Sequence, residues 1–334
     1  MAHSEHVVVS VITAIVTIIG VAFIFCQSFS TISFTRRQTI MIDGPGELDV
    51  NDVGGFTIAK SYTLNAKKVM AYAASINDTN EAYFDDTRIA GLSVHPAISF
   101  ALQWNTRFRP DLPPNPRAAP FGVHAETDLR IFKPFEQNQT ITVQGQLIAR
   151  KKIPPGVFSV DRFRMTDSRG ELIAELDYNG ITRGATLNGP DREVEPSPLA
   201  PSMSGLPAEP IWAESIYIPR HAGQQYTECA DIYNPIHTER SVALAAGLPD
   251  IILHGSATKA HALTMVVNRC FDGDPRRITR LCGQLRAMVL MDTSIHVRCF
   301  GLKVVADEIQ VFYQVLNDNG DPAIANGVIC GTSA

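Results

Sequence analysis

The chain has 334 residues, of which 45% are hydrophobic and 19% are charged, and its formal net charge is −5. This length and apolar content are sufficient for two modest domains or one large one with a sizeable core. The negative charge and the lack of any Lys/Arg-rich run argue against a nucleic-acid partner. The six cysteines form no C-x-x-C pair, which favours reduced thiols over a disulfide framework or a zinc site.

Residues 7–26 form an uninterrupted run of apolar and weakly polar residues that is about long enough to span a bilayer. Arg36 and Arg37 follow this run, so the positive-inside rule predicts a membrane anchor with the body of the protein on the cytosolic side. Met41 is also an acceptable start for a soluble chain. A cytoplasmic protein without a functional segment at residues 1–40 is therefore the alternative.

The first half of the chain, residues 41–186, begins with a strand-like segment and a helical pattern at residues 55–59 and 66–76. A loop at residues 77–84 and an apolar helical stretch that ends at Trp104 come next. Alternating apolar and polar residues then predict half-buried antiparallel strands. These predicted strands lie at residues 121–130, 140–150, 158–166 and 172–183.

Residues 187–212 are rich in proline and predict a stiff, extended connection to a second half at residues 213–334. The second half repeats the order of the first. It has a helical pattern at residues 222–230, a loop, and a long helix that ends near Phe271. Four further strands are predicted, at residues 279–291, 294–305, 309–316 and 323–330. Two repeats of one plan are therefore predicted.

The loop of the second half contains Asp231, Asn234, Pro235 and His237, and an apolar segment then ends in a His-Gly pair at Gly255. A carboxylate beside an imidazole can serve as a general acid/base pair. A glycine at a helix start offers an unhindered backbone N–H to a developing oxyanion. These groups are the ones needed to move protons on a carbon next to a carbonyl.

The run Asn-Pro-Ile-His ending at His237, followed by His-Gly ending at Gly255, resembles the MaoC-like (R)-specific enoyl-CoA hydratase and 3-hydroxyacyl dehydratase family. The resemblance implies an α+β double hotdog fold, with two tandem antiparallel sheets that each wrap a long central helix. It also implies a hydro-lyase that acts on an acyl thioester of coenzyme A or acyl carrier protein. It implies neither a cofactor nor a metal, and it is compatible with a homodimer.

The same resemblance implies roles for individual residues. His237 transfers the proton, the N–H of Gly255 holds the thioester oxygen, and Asn234 orients a water molecule or a carboxylate. The family carboxylate lies two residues before the Asn, where this chain has Ile232, and Asp231 is one residue too early. Either the loop bulges to return Asp231 to the site, or the acid/base work depends mainly on His237.

The first repeat lacks two of these groups. When the loops are matched by their Asn residues, Tyr83 takes the position of His237, and Pro96 takes the position of Gly255. Proline has no N–H to offer an oxyanion. The first repeat is therefore expected to complete the fold and to supply a tunnel for the acyl tail, and the second repeat to be the catalytic one.

Three other functions use the same fold or the same groups. A hotdog thioesterase would need a carboxylate that activates water on the thioester carbonyl. A non-catalytic acyl-binding protein would be consistent with Ile232 in place of the acid. An isomerase or cyclase acting on a polyketide-type intermediate would use the same proton-transfer groups.

Overall fold

The computed structural model describes residues 44–109, residue 118 and residues 121–333. Its helices are α1 Ala66–Ser75, α2 Ile98–Trp104, α3 Ala222–Ala230, α4 Arg240–Ala245 and α5 Gly255–Cys270. Short 3-10 turns lie at Val50–Asp52, Glu81–Tyr83, Pro235–His237 and Pro275–Arg277.

The strands form antiparallel hairpins after the central helix of each repeat. Those of the first repeat and of the connection after it are β1 Glu47–Asp49, β2 Lys60–Thr63, β3 Gly122–Ile131, β4 Thr140–Ile153, β5 Gly156–Thr166, β6 Leu172–Arg183, β7 Thr186–Asn188 and β8 Arg192–Glu193. Those of the second repeat are β9 Trp212–Ile218, β10 Ile278–Leu285, β11 Thr293–Val305, β12 Glu308–Leu316 and β13 Pro322–Thr332.

In the described part of the chain, eleven of these strands form one continuous sheet in the order β2-β4-β5-β6-β3-β10-β13-β12-β11-β9, with β8 paired to β4. Strands β3 and β10 pair antiparallel and thereby join the two repeats, with Thr127 opposite Gly283. The small sheet of β1 and β7 lies apart from this one. The two predicted sheets are therefore fused edge to edge.

Helix α5 runs through the core of the second repeat, because small and aliphatic residues dominate its buried positions. It has sixteen residues, whereas α2, its counterpart in the first repeat, has seven. Residues of both repeats contribute to a single large hydrophobic cluster, which contains Leu102 from α2 and Leu263 from α5. The two helices therefore share one core.

Two predicted strands are placed differently by the structure. Residues 55–59 contain only an isolated bridge between Phe56 and Gln146, and the strand follows at Lys60–Thr63. The strand predicted at residues 279–291 ends at Leu285. The chain then leaves the sheet, and the Val289 carbonyl accepts a hydrogen bond of 2.8 Å from the N–H of Leu253, just before α5.

The predicted membrane segment, residues 7–26, lies outside the described residues. Within residues 44–109, 118 and 121–333, none of the helices is long and apolar enough to cross a bilayer. The anchor therefore stays a prediction.

Candidate active site

The predicted site loop folds into a 3-10 turn at Pro235–His237. The side-chain oxygen of Asn234 accepts a hydrogen bond of 3.5 Å from the N–H of Ile236, so Asn234 caps this turn. Proline is well suited to the first position of such a turn, because its ring sets φ and an N–H is not needed there. The Asn-Pro pair therefore sets the direction in which the His237 side chain leaves the loop.

The imidazole of His237 is oriented by a backbone carbonyl. Its Nδ1 lies 2.7 Å from the carbonyl oxygen of Ile252, which precedes α5 by three residues. A carbonyl can only accept, so Nδ1 carries the proton of the neutral ring and Nε2 keeps its lone pair. Burial lowers the pKa of His237 to about 4, and the bond to Ile252 opposes that shift. The neutral ring is therefore a proton acceptor at physiological pH.

A second imidazole stacks on the first. The rings of His237 and His254 have centroids 3.7 Å apart and an interplanar angle of 29°. Nε2 of His254 lies 3.2 Å from the carbonyl oxygen of Ile232, which fixes this ring from the loop side. Burial, and next the neighbouring His237, lower the pKa of His254 well below its ordinary value. The two rings are therefore both held neutral.

Gly255 is the first residue of α5, next in sequence to the stacked His254. A methyl group at Gly255 would lie 2.6 Å from Cδ1 of Leu285 on β10, so any other residue there requires the Leu285 side chain or the helix start to shift. The first N–H groups of a helix have no partner within it. His254 provides no side-chain cap, and in the described residues no acceptor is bonded to the Gly255 N–H. This donor is thus available to a ligand oxygen.

Asp231 is not joined to His237 by any hydrogen bond or ion pair of the described residues. It ends α3 in the left-handed conformation, with φ 58° and ψ 43°, a position that Asp and Asn tolerate better than most residues. Its carboxylate and its carbonyl both accept from the side-chain amide of Asn105, at 3.2 and 2.8 Å. Ile232 is buried in the core, so the loop does not bulge to bring Asp231 inward.

The loop of the first repeat is also attached to the opposite repeat, through a carboxylate at a different position of the loop. Asp78 is buried, and its carboxylate accepts a hydrogen bond of 2.7 Å from the hydroxyl of Thr264 on α5. Asp231 lies one residue out of register with Asp78, three residues before Asn234 instead of two before Asn80, and it accepts from Asn105, which directly follows α2. Each of these carboxylates therefore joins its loop to the other repeat, Asp78 on α5 and Asp231 at the residue that follows α2. This finding gives Asp231 a structural role.

The first repeat keeps the shape of the site but has neither the imidazole at the His237 position nor the N–H at the Gly255 position. Asn80 caps the turn at Glu81–Tyr83 as Asn234 caps its own, and the buried Tyr83 occupies the position of His237. The ring of His95 takes the place of His254 and lies 3.3 Å from the hydroxyl of Thr264. Pro96 follows His95, as the sequence predicts, and offers no N–H.

The described residues contain no group of three or more His, Cys, Asp or Glu side chains that could hold a metal ion. The groups brought together are therefore one neutral imidazole with a free lone pair, one stacked imidazole and one helix N-terminus. Such a set can remove a proton and stabilise an adjacent oxyanion.

Comparison with known families agrees with this geometry. Residues 224–317 match the family model of the MaoC-like domain, a stretch that includes the capped loop, both stacked histidines and α5. The second repeat is a MaoC-like domain. Residues 52–176 match the dehydratase domain region of FAS1-like proteins, which covers most of the first repeat. The MaoC-like resemblance predicted from the loop is therefore confirmed.

Solved structures of similar fold include a MaoC-like dehydratase from Phytophthora capsici, with a TM-score of 0.71 and 17% identity over 85% of this chain and 98% of that one. The peroxisomal multifunctional enzyme type 2 of Drosophila melanogaster gives 0.65 and 17% over 82% of this chain and 48% of that one. A Mycobacterium tuberculosis protein with a double hotdog fold gives 0.54 and 11% over 84% and 96%. The double hotdog prediction is thus confirmed. No curated protein matches the chain by sequence.

Sequence reasoning missed three parts of the site: the Ile252 carbonyl, the stacking of His254 and the contact of Gly255 with Leu285. His254 was not among the predicted site residues. The repeated His at residues 95 and 254, each just before a central helix, is the signal that could have assigned it a place beside His237.

Proposed function

We propose that the chain is a hydro-lyase that interconverts a 3-hydroxyacyl thioester and a 2-enoyl thioester, carried on coenzyme A or acyl carrier protein. His237 is the acid/base residue, and the Gly255 N–H is the oxyanion donor. Asn234 holds the loop in position. Asp231 anchors the loop to Asn105 and takes no part in proton transfer.

In the dehydration direction, Nε2 of His237 takes the proton from C2 of the substrate, and the thioester oxygen gains negative charge at the Gly255 N–H. The electron pair then forms the C2–C3 double bond while the C3–O bond breaks. The imidazolium returns its proton to the departing hydroxyl, which leaves as water. The ring is neutral again, so one histidine completes the cycle.

One observation carries this proposal. Nδ1 of His237 is committed to the Ile252 carbonyl at 2.7 Å, which leaves the basic nitrogen Nε2 for the substrate, and the stacked neighbour His254 is directly followed by Gly255. The base and the oxyanion donor are therefore held by adjacent parts of one rigid arrangement. A single such donor contributes about 2.7–4 kcal/mol to transition-state stabilisation.

The proposal is tested with the purified full-length chain and the coenzyme A thioesters of crotonate and of both enantiomers of 3-hydroxybutyrate. We expect reversible hydration, seen as loss of the enoyl absorbance and as formation of one 3-hydroxy enantiomer. Absence of conversion with both coenzyme A and acyl carrier protein thioesters would overturn the proposal.

Thioester hydrolysis is the alternative that the same assay separates, because it releases a free thiol. Hydrolysis requires a carboxylate that activates water, and no carboxylate of the described residues is bonded to His237. Binding of the thioester with neither hydration nor thiol release would instead indicate an acyl-binding protein. The geometry favours the hydro-lyase over both.

A further inference from the structure

The proposed cycle makes His237 a cation for part of each turnover, because Nε2 takes up a proton while Nδ1 keeps its own. Neither carboxylate of the loop is bonded to this ring. Glu239 accepts a hydrogen bond from the hydroxyl of Thr238, and Asp231 accepts from the amide of Asn105. A charge withdrawn from water without a counterion is costly to keep. The cation therefore needs another stabilising group.

One face of the His237 ring is covered by the ring of His254, with centroids 3.7 Å apart and planes inclined by 29°. This separation is typical of van der Waals contact. Burial, and next the neighbouring His237, hold the pKa of His254 well below its ordinary value, so the second ring is neutral. The face of a neutral aromatic ring attracts a cation placed over it, more strongly where water is excluded. The His237 cation therefore rests on an attractive surface.

The ring of His254 is fixed against His237 by its own contacts. Its Nε2 lies 3.2 Å from the carbonyl oxygen of Ile232 and 3.4 Å from the hydroxyl of Thr227. A carbonyl only accepts, so Nε2 carries the proton of the neutral ring. The ring of Tyr226 on α3 also packs on His254, with centroids 4.9 Å apart and an interplanar angle of 52°. The stacked ring is therefore in place before the charge appears.

The titratable groups around the two rings offer the cation no ion pair. Tyr226 is neutral, because burial raises its pKa to about 12, and it shares a hydrogen bond of 3.2 Å with the hydroxyl of Tyr72 on α1. The charged side chains of the surrounding elements are bonded elsewhere or exposed to solvent. They are Asp231, Glu239, Arg240 and Asp250 around the loop, Arg220, Glu228 and Asp292 near α3, Lys259 on α5 and Arg286 after β10. Beyond the Ile252 carbonyl, His254 is therefore the described group placed to stabilise the charge.

The first repeat, which lacks the base, also lacks this close stack. Tyr83 and His95 occupy the two positions there, and their ring centroids lie 5.4 Å apart at an angle of 51°. Both nitrogens of His95 have partners, Nδ1 in the N–H of Ala97 at 3.2 Å and Nε2 in the hydroxyl of Thr264 at 3.3 Å. Nδ1 of His254 is buried without a partner among the described residues. The close stack is therefore found in the repeat whose ring has to become a cation.

We propose that His254 is a positioning residue that stabilises the cationic form of His237 through its stacked ring, and thereby makes up for the carboxylate that Ile232 replaces. The path of the proton is unchanged. Nε2 of His237 takes the proton from C2 and returns it to the departing hydroxyl, and His254 neither gains nor loses a proton. The inference rests on the proposed function, because it takes His237 as the acid/base residue.

The test varies the electron density of the ring at position 254 and keeps its shape nearly constant. His254→Phe is compared with the same chain carrying difluorophenylalanine or pentafluorophenylalanine at this position, in the dehydration of 3-hydroxybutyryl-coenzyme A. Fluorine withdraws electron density from the ring face and weakens its attraction for a cation. We expect kcat of His254→Phe to stay within about threefold of the wild type, and kcat to fall stepwise by about tenfold in total along the fluorinated series.

A purely structural role for His254 predicts a different result. His254→Phe and its two fluorinated forms would then have equal kcat values, because all three fill nearly the same space. A flat series would overturn the inference. If the fluorinated chains do not fold, His254→Leu decides. We expect its kcat to lie about tenfold below that of His254→Phe, and equal values would overturn the inference.

Failure of the proposed function is recognised separately by NMR titration of the His237 ring in the same chains. A chain that turns over none of the thioesters contradicts the hydro-lyase, and a pKa of His237 that still falls along the fluorinated series supports the role of His254. Turnover with a flat kcat series and a constant pKa of His237 supports the hydro-lyase and rejects the role of His254.

Discussion

His237 and His254 lie ring on ring, with centroids 3.7 Å apart, although they come from opposite sides of α4 in the sequence. Each ring is also fixed by a backbone carbonyl, His237 by Ile252 and His254 by Ile232. Each carbonyl belongs to the segment that carries the other ring: Ile252 shortly precedes His254, and Ile232 shortly precedes His237. The geometry of the base is therefore set by the backbone, without a carboxylate.

Gly255→Ala is expected to lower kcat/KM by at least tenfold, although alanine keeps the N–H. The added methyl would lie 2.6 Å from Cδ1 of Leu285, so the two must move apart, and we expect this to displace the N–H at the helix start from the substrate oxygen. The double variant Gly255→Ala/Leu285→Ala lacks the obstructing atom and should regain part of the lost kcat/KM. Its reference is the single variant Leu285→Ala. A double variant no better than Gly255→Ala would show that the steric explanation is wrong.

Asp231→Asn is expected to change kcat by less than tenfold. Asn tolerates the left-handed φ of 58°, and its side-chain oxygen can still accept from Asn105. A general acid/base residue would typically contribute about 10²–10⁴-fold. Steady-state hydration kinetics distinguish these cases. A loss of kcat by about 10²–10⁴-fold would show that Asp231 takes part in proton transfer.

Thr264→Val is expected to lower the free energy of unfolding by about 1–3 kcal/mol, because the buried carboxylate of Asp78 and the ring of His95 would each lose a partner. Chemical denaturation measures the change. Thr279→Val, on β10 and bonded to Glu308 at 3.3 Å, is the matched control, and we expect a smaller effect there. Equal losses of unfolding free energy would show that the hydrogen bonds of Thr264 contribute no more to stability than the bond of Thr279 to Glu308.

The stability of the protein is expected to fall as the pH drops below about 6. Burial holds the pKa of several histidines below the ordinary value of about 6.5, so the unfolded chain binds more protons than the folded one between that value and the folded pKa values. The melting temperature should therefore decline through this window and be steady just above it. Those histidines are His95, His124, His237, His254 and His261.

His261→Leu tests the origin of this decline. The ring of His261 is buried on α5, and burial lowers its pKa to about 4. Leucine cannot bind a proton, so the melting temperature of the variant should depend less steeply on pH between 6 and 4 than that of the wild type, in scans by calorimetry. An unchanged slope would show that His261 does not contribute.

The fold was largely predictable from the sequence because both repeats carry strong alternation of apolar and polar residues and the same order of elements. The strand Leu172–Arg183 and the helix Ala222–Ala230 have the predicted bounds. The strand predicted to reach residue 291 was wrong at its end, since residues after Leu285 pair with the segment before α5 instead. That exchange of partners depends on tertiary packing, which local periodicity does not record.

The site was predictable only where it is local in sequence. The Asn-Pro-Ile-His run and the His-Gly pair identified His237 and Gly255, but their partners lie on distant segments. Ile252 is fifteen residues from His237, and Asn105 is 126 residues from Asp231.

The most direct test of the account is His237→Gln in the hydration of crotonyl-coenzyme A, compared with His221→Gln at an exposed position. Glutamine can keep a bond to the Ile252 carbonyl but cannot take up a proton. We expect kcat to fall by about 10²–10⁴-fold in His237→Gln and to remain at the wild-type value in the control. Full activity in a folded His237→Gln chain would contradict the assignment of His237 as the acid/base residue.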